Sequence, residues 1–403
     1  MPEPAAVATG SYHVRGREPG RIVRPGSVAE VQDALRAASA AGEAVIVQGG
    51  RSAVATGRPP ERYDVALDTT ALDAVLAHEP QDFTATVQAG MRFAALQAAL
   101  AGHGQTLPLD PPGGADTTVG GVIARGRGGL RRAAFGEVRD WLIGCTAVLS
   151  DGRAVHGGGR VVKNVSGYDL PKLFAGSWGT LGCIVEASFK LRPLPTRDAT
   201  LRIAADDFAA AISAGRELAQ RLPGLHAVTA VDAAWAAAAG LESGACLLVR
   251  AGGIPAMVEE LLAMARGAVP DIAAGAADAD TGVWQRLTDT TAPADGVLLR
   301  IGCPPPEVEA LAAIARDGLP GAARLASLDG GLLWLRAPEA SAEAVTALRA
   351  AVEARGGALT IESGDVAGVD PWGAAPGLPI MRRIKAELDP TRTLSPGRFV
   401  GDL

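Results

Sequence analysis

Residues 108–195 read PLDPPGGADTTVGGVIARGRGGLRRAAFGEVRDWLIGCTAVLSDGRAVHGGGRVVKNVSGYDLPKLFAGSWGTLGCIVEASFKLRPLP. Glycines cluster after Pro111-Pro112, recur at Gly120-Gly121, and return at Gly176, Gly179 and Gly182 ahead of an apolar alternating segment. Glycine permits positive φ and lets a ligand approach the main chain closely. Successive N–H groups in such turns form concave anion sites suited to a diphosphate. A second loop upstream, Gln48-Gly49-Gly50-Arg51-Ser52-Ala53, directly follows the apolar run Ala44-Val45-Ile46-Val47. Two glycine loops, each tied to a strand, suggest one extended phosphate-bearing ligand.

Outside that stretch, composition sets the bounds. A chain of 403 residues exceeds the usual limit for one core, so two domains are expected. An apolar fraction of 48% with 20% charged residues describes a soluble globular protein. The net charge of −6 argues against general nucleic-acid binding, which needs a basic footprint. Cys145, Cys183, Cys246 and Cys303 stand far apart with no CxxC pair, which excludes the usual zinc and iron–sulfur spacings. The opening MPEPAAVATGSYHVRG has acid and proline where a signal peptide needs a basic start and an apolar run. No apolar stretch is long enough to span a bilayer. The expected location is the cytoplasm.

Ser27 with Glu30 predicts a capping box, followed by Val28, Val31, Leu35 and Ala38 at helical spacing and Gly42 as the stop. Strands are predicted at Ala44–Val47, Asp64–Leu67, Thr84–Ala89, Gly144–Leu149 and Gly182–Lys190, with Asp151-Gly152 as a hairpin turn. Past Pro193 and Pro195 the chain repeats strand and helix, predicting an α+β sandwich with helices on one face of a sheet. Ala273–Thr281 is small and polar and reads as a loop. The turn-rich tail Asp389–Arg398 follows a helix at Pro379–Leu388 and returns to the first domain in this reading.

The ordered set VIVQGGRSA, TVQAG, LPLDPP, TTVGGVIA, FGEVRD, VVKNVSGYDLPKLFAGSWGTLG and LDPTRTLSPGR resembles the flavin-binding domain of the vanillyl-alcohol-oxidase (PCMH) type. Within that superfamily it is most similar to the FAD-binding E subunits of bacterial glycolate oxidases. The resemblance implies an α+β chain: a PCMH-type FAD-binding domain of two α/β subdomains at 1–195, an α+β (ferredoxin-like) cap or substrate domain at 196–370, and a C-terminal segment at 371–403 packing back on the first domain. It implies that Gly49, Gly50, Arg51, Ser52 and Ala53 hold the FAD diphosphate through backbone amides. Thr118, Gly120 and Gly121 would then let the backbone approach the cofactor. Asp110 and Pro111 would shape the adjacent wall, Ala124 and Gly128 would lie along the flavin edge, and Gly179, Gly182 and Ile184 would approach the adenosine half.

Several residues depart from the family pattern. Arg125-Gly126-Arg127 replaces the commoner small-polar run, and the usual Asn of the tail is Ser395. No histidine occurs between His13 and His78, so the first loop offers no histidyl tether and FAD is expected to be non-covalent. A dehydrogenase of 2-hydroxy acids needs a base for the hydroxyl proton and a cation for the carboxylate. His226 reads as a surface or loop histidine. Arg202, Arg250, Arg300 and Arg336 end strands of the second domain; they are rim arginines unless one reaches a substrate across the interface. No catalytic residue and no metal site are assigned. The resemblance implies an FAD-dependent oxidoreductase acting on glycolate or another small 2-hydroxy acid. Its expected partners are a second FAD subunit and an iron–sulfur subunit, with attachment to the inner face of the membrane through them left open. The alternatives are a self-sufficient FAD-dependent D-2-hydroxy-acid dehydrogenase and an assembly subunit with structural FAD.

Overall fold

The computed structural model describes residues 9–159, 168–242, 244–269 and 276–403. The segment VVKNVSG, at 161–167, lies outside them. Strands β1 (Arg21–Val23), β2 (Val45–Gln48) and β3 (Val65–Asp68) form a parallel sheet in the order β1-β3-β2. The helix Val28–Ala40 crosses between β1 and β2 and buries Val31, Leu35 and Ala38. Ser27 Oγ accepts from Glu30 N at 3.2 Å, a cap worth about 1 kcal/mol. The Glu30 carboxylate bonds Gly26 N at 2.9 Å instead of Ser27 N, so the expected capping box closes one residue early. β2 and β3 are continuous apolar runs because both of their faces are covered.

Strands β4 (Val75–Glu79), β5 (Thr84–Gln88), β7 (Leu142–Val148), β8 (Ala154–Gly158) and β9 (Cys183–Lys190) form a five-stranded antiparallel sheet, ordered β4-β5-β9-β7-β8. The short pair β6 (Gln105–Thr106) and β10 (Arg192–Pro193) lies beside it. Gly152, at φ +81°, makes the β7–β8 turn. The helices Phe93–Ala101 and Val119–Arg125 pack on the sheet through Leu96, Leu100, Val119 and Ile123. Val148, Cys183 and Val185 continue into the core under β2, so the two sheets share their packing.

The tail is the third layer of this unit. Leu394 bridges Val45 in parallel, with Val45 N donating to Thr393 O at 2.7 Å and Ser395 N to Val45 O at 2.9 Å. The buried ammonium of Lys385, on the helix Leu378–Leu388, donates to Asp389 Oδ2 at 2.6 Å, Thr180 O at 2.7 Å and Leu394 O at 2.8 Å. Those three acceptors offset the cost of taking the charge out of water and clip the tail to the loop before β9.

The remaining strands are two βαββαβ repeats. The first is β11 (Arg197–Ala204), the helix Phe208–Arg221, β12 (Ala227–Val231), β13 (Cys246–Gly253), the helix Pro255–Ala268 and β14 (Ala276–Ala279). The second is β15 (Val297–Gly302), the helix Val308–Gly318, β16 (Ala323–Ser327), β17 (Leu332–Ala337), the helix Ala342–Glu353 and β18 (Ala358–Ser363). Antiparallel pairing of β12 with β16 fuses them into one sheet, β14-β11-β13-β12-β16-β17-β15-β18. The four long helices cover one face through residues such as Phe208, Ile212, Val258, Leu311 and Leu348.

The other face is covered too, contrary to the one-sided sandwich expected. The short helices Ala233–Ala238 and Val283–Thr290 bury Trp235 and Trp284 there, beside Leu130 of the first domain. Their indole N–H groups are satisfied by Thr290 Oγ1 at 2.8 Å and Thr200 Oγ1 at 2.7 Å. The predicted loop at Ala273–Thr281 contains β14, which pairs with β11 from Thr200↔Ala279 to Ile203↔Ala276. Small residues suffice because this edge strand buries little and is held by main-chain bonds. Residues 273–275 lie outside the described set. No described helix is long and apolar enough to cross a membrane.

Candidate functional site

A cleft of about 990 Å3, measured out to solvent, opens between the first loop, the glycine-rich segment, the β9 hairpin and the tail. β2 runs straight into Gly49–Ala53, and all five of those residues line it. A Cβ at Gly50 would overlap the carbonyl oxygen of Asp116, and one at Gly49 the hydroxyl of Thr118. Glycine is therefore required here by the close approach of the Asp116 carbonyl and the Thr118 side chain. The left-handed residue of the loop is Arg51, at φ +61°. Its guanidinium reaches Ser11 O at 3.1 Å and lies over the Tyr12 ring. Among the described residues, the backbone N–H groups of Gly49 through Ala53 donate to no protein acceptor. A run of unsatisfied amides facing a cleft is an anion cradle.

The opposite wall is the start of the helix Val119–Arg125. Thr118 Oγ1 accepts from Gly121 N at 3.3 Å, and Gly120 N donates to Ala89 O at 2.6 Å. A Cβ at Gly120 would lie 3.0 Å from Ala89, so this turn sits directly on β5. Thr118, Gly120, Gly121, Ala124 and Pro111 all line the cleft, as do Gly179, Gly182 and Ile184 at its other side. The structure thus brings together most of the residues singled out from sequence. Asp110 and Gly128 stand apart. The Asp110 carboxylate turns away to accept from Leu130 N at 3.2 Å and Arg131 N at 3.4 Å, and Gly128 N is tied to Glu137 Oε2 at 2.6 Å. Both brace the turn behind the wall.

Sequence reasoning passed over Trp178 and Arg398, and recorded Arg125 and Arg127 as departures without a role; all four line the cleft. Trp178, at φ +54°, packs edge-on to Trp372. Arg398 anchors Nη2 on Val54 O at 2.9 Å and Thr56 O at 2.8 Å, while its buried Nη1 has no partner. It forms no ion pair among the described residues, and burial lowers its pKa to about 10. A buried cation of this kind calls for an anion. The signal was present in the tail sequence, but only the fold carries residue 398 to residues 54 and 56.

Glu362, at the end of β18 and fully buried, holds both Arg125, at 3.1 Å, and Arg127. The four strand arginines separate clearly. Arg202 pairs with Glu242 at 3.4 Å, Arg250 grips Asp198 at 3.0 and 2.6 Å, and Arg336 caps the carbonyl of Thr290. Arg300 forms no ion pair or hydrogen bond among the described residues and lies 6.0 Å from the Trp334 ring centre. His226 is outside the cleft, edge-on to Phe135, and burial together with Arg131 pushes its pKa down to about 4. It is a half-buried imidazole in the loop before β12, in line with the loop alternative of the sequence reading. No described group of three or more His, Cys, Asp or Glu could hold a metal ion.

Residues 19–158 match the family model of the FAD binding domain. The cofactor of this domain is FAD. Over 190 residues the chain is 36% identical to a D-2-hydroxyglutarate dehydrogenase of Xanthomonas citri pv. viticola, covering 47% of this chain and 40% of that one. Over 159 residues it is 36% identical to the glycolate oxidase subunit GlcE of Escherichia coli, covering 39% and 45%. The aligned region thus spans about two-fifths of the length of these curated relatives. Among solved structures, p-cresol methylhydroxylase superimposes with a TM-score of 0.72 at 16% identity, over 94% of this chain and 88% of that one. Alkyldihydroxyacetonephosphate synthase gives 0.69 at 18% identity, over 95% and 78%. At those identities the likeness is one of fold, and it extends through the second domain.

Proposed function

We propose that the chain is an FAD-carrying subunit of an enzyme that oxidises glycolate or a similar small 2-hydroxy acid to the 2-oxo acid. The observation that carries this reading is the row of five unsatisfied amides, Gly49 to Ala53, in the cleft of a matched FAD binding domain. In this reading those amides and the free Nη1 of Arg398 hold the diphosphate. Thr118, Gly120, Gly121 and Ala124 flank the cofactor on one side, and Gly179, Gly182 and Ile184 on the other. Bound FAD supplies a two-electron acceptor that no side chain of the protein provides. Arg125 and Arg127, fixed by Glu362, set a positive wall at the junction of the domains and close it against water.

The names of the relatives include subunits of glycolate oxidase, which supports a place in a multi-subunit complex; in this reading its partners are a second FAD subunit and an iron–sulfur subunit. A self-sufficient dehydrogenase is the second reading, favoured by the unpaired Arg300 at the domain junction. The deciding experiment is anaerobic reduction of the purified flavoprotein by glycolate and D-lactate, alone and after adding such partners. Slow bleaching alone with restored dye reduction in the mixture supports the subunit reading. Rapid stoichiometric bleaching of the isolated chain supports the dehydrogenase. No reduction under any of these conditions removes both.

A further inference from the structure

A second pocket, about 790 Å3 measured out to solvent like the cleft, opens between the domains. It shares no lining residue with the cleft. Ala133 and Ala134, exposed on the short helix Arg132–Phe135, form the first domain's side of it. The second domain contributes Leu222 and Leu225, which follow the helix Phe208–Arg221, and Pro305-Pro306 after β15. These apolar walls suit a hydrocarbon stem.

One wall is charged. Asp329, in the turn between β16 and β17, brings its carboxylate to the pocket. Its Oδ1 accepts from Ser327 Oγ at 3.0 Å and from Gly330 N at 2.9 Å, and the amide of Val228 faces it as well. Those donors are neutral, and among the described residues Asp329 forms no ion pair. Burial outweighs them and raises the carboxyl to about 6. Arg216, a cation in the lining, is already held by Glu309 at 2.8 Å. The turn accounts for an acceptor at 329 but not for a negative charge, since asparagine caps such a turn equally well. A carboxylate shielded from water without a counter-ion carries a cost that a bound cation removes.

We propose that this pocket binds an organic cation, an ammonium or guanidinium on a short apolar stem, with Asp329 as its counter-ion. Leu222, Leu225 and the two prolines would enclose the stem. A free amine and a basic side chain of a partner protein present the same chemistry. Because the pocket and the cleft have no residue in common, the occupant is distinct from both cofactor and substrate. It would touch both domains at once. The inference does not depend on the oxidation reading.

The test is calorimetric titration of the full-length, oxidised flavoprotein, which needs no turnover. The probes are n-butylammonium, agmatine, N-acetyl-lysine methylamide, and n-butanol as the neutral analogue. The cations should bind saturably and butanol should not. Asp329→Asn keeps the turn's acceptor and removes the charge, so it should weaken the cations roughly tenfold or more. Ala134→Leu, at an exposed position, should fill the pocket and weaken them similarly, whereas Asp33→Asn on the first helix should change nothing. Near neutral pH, unliganded Asp329→Asn should melt no lower than the wild type, because it sheds an unpaired charge. If it melts lower or does not fold, Ala134→Leu alone decides. Preference for agmatine or butylammonium assigns the site to a free amine, and preference for the blocked lysine assigns it to a partner's side chain. No saturable binding of any cation, equal binding of butanol, or wild-type affinity in the deciding variants overturns the proposal.

Discussion

The guanidinium of Arg125 and the carboxylate of Glu362 meet at 3.1 Å across the domain junction, and water reaches almost none of either side chain. The pair is the electrostatic tie between the helix under the cleft and the last strand of the second sheet. Arg127 shares the same acceptor.

Removing the charge of Glu362 should therefore cost more than removing either arginine. Glu362→Gln leaves two buried guanidiniums facing a neutral amide, a defect of about 3–5 kcal/mol. The Glu362→Gln, Arg127→Gln double variant should regain part of that, because one of the orphaned cations is gone. Urea unfolding of the single and double variants reads the difference. Equal stability of Glu362→Gln and the wild type would mean the tie carries no net energy.

The flavin should leave the denatured protein. The loop Gly49–Ala53 carries Arg51 and Ser52 where a histidyl tether would need an imidazole. Acid precipitation is expected to give a yellow supernatant and a colourless pellet. Colour retained in the pellet would point to a covalent bond from another residue.

Glycine substitutions should grade by backbone crowding. Gly50→Ala puts a methyl group onto the Asp116 carbonyl and should abolish flavin retention, although alanine is the smallest possible change. Gly121→Ala meets only Thr118 Oγ1, at 3.2 Å, and should reduce retention partially. Flavin-to-protein absorbance ratios measure both, and far-UV circular dichroism checks that the fold persists. Full retention in Gly50→Ala would show that the first loop is not the cradle.

His226 should make stability fall on mild acidification. Burial, then the charge of Arg131, holds its pKa at about 4 against an ordinary 6.5, so the unfolded chain takes up the proton first. Its contribution is complete above pH 6.5 and is lost as pH falls from there towards 4, at no more than about 1.4 kcal/mol per pH unit. Asp329, which burial raises to about 6, works in the opposite sense, its contribution being lost as pH rises through 6. The comparison with His226→Gln cancels that common term. The difference in midpoint between the two proteins should shift in favour of the variant below pH 6.5, and a pH-independent difference would contradict the shift.

Much of the first domain could be read in advance because its information is local. Apolar runs bounded by glycine marked β2 and β9, Ser27 marked a helix start, and Asp151-Gly152 marked a hairpin. The glycine loops were found for a reason that proved incomplete: Gly49 answers to the Thr118 side chain and Gly50 to the Asp116 backbone, and the left-handed position belongs to Arg51. What stayed hidden was long-range. Arg125 and Glu362 lie 237 residues apart, and nothing near either one announces the other. Asp110 looked like a wall residue until the turn at 128–131 claimed its carboxylate. β14 escaped notice because Ala276–Ala279 has the composition of a loop and owes its strand geometry to β11.

Because Ser395 and Arg398 complete a cleft whose first wall is laid at Ile46–Val54, the proposed cofactor site draws on residues as far apart as Val54 and Arg398, 344 positions. During synthesis the glycine loop emerges long before its closing cation, and the intervening sheet must fold with that side of the cleft open. Cofactor capture at the proposed site would thus wait until synthesis has passed Arg398. Translation products ending before Leu378 would lack both the tail strand on β2 and the Lys385 clip. They would leave the apolar edge of β2 unpaired, the kind of exposed strand edge that invites aggregation.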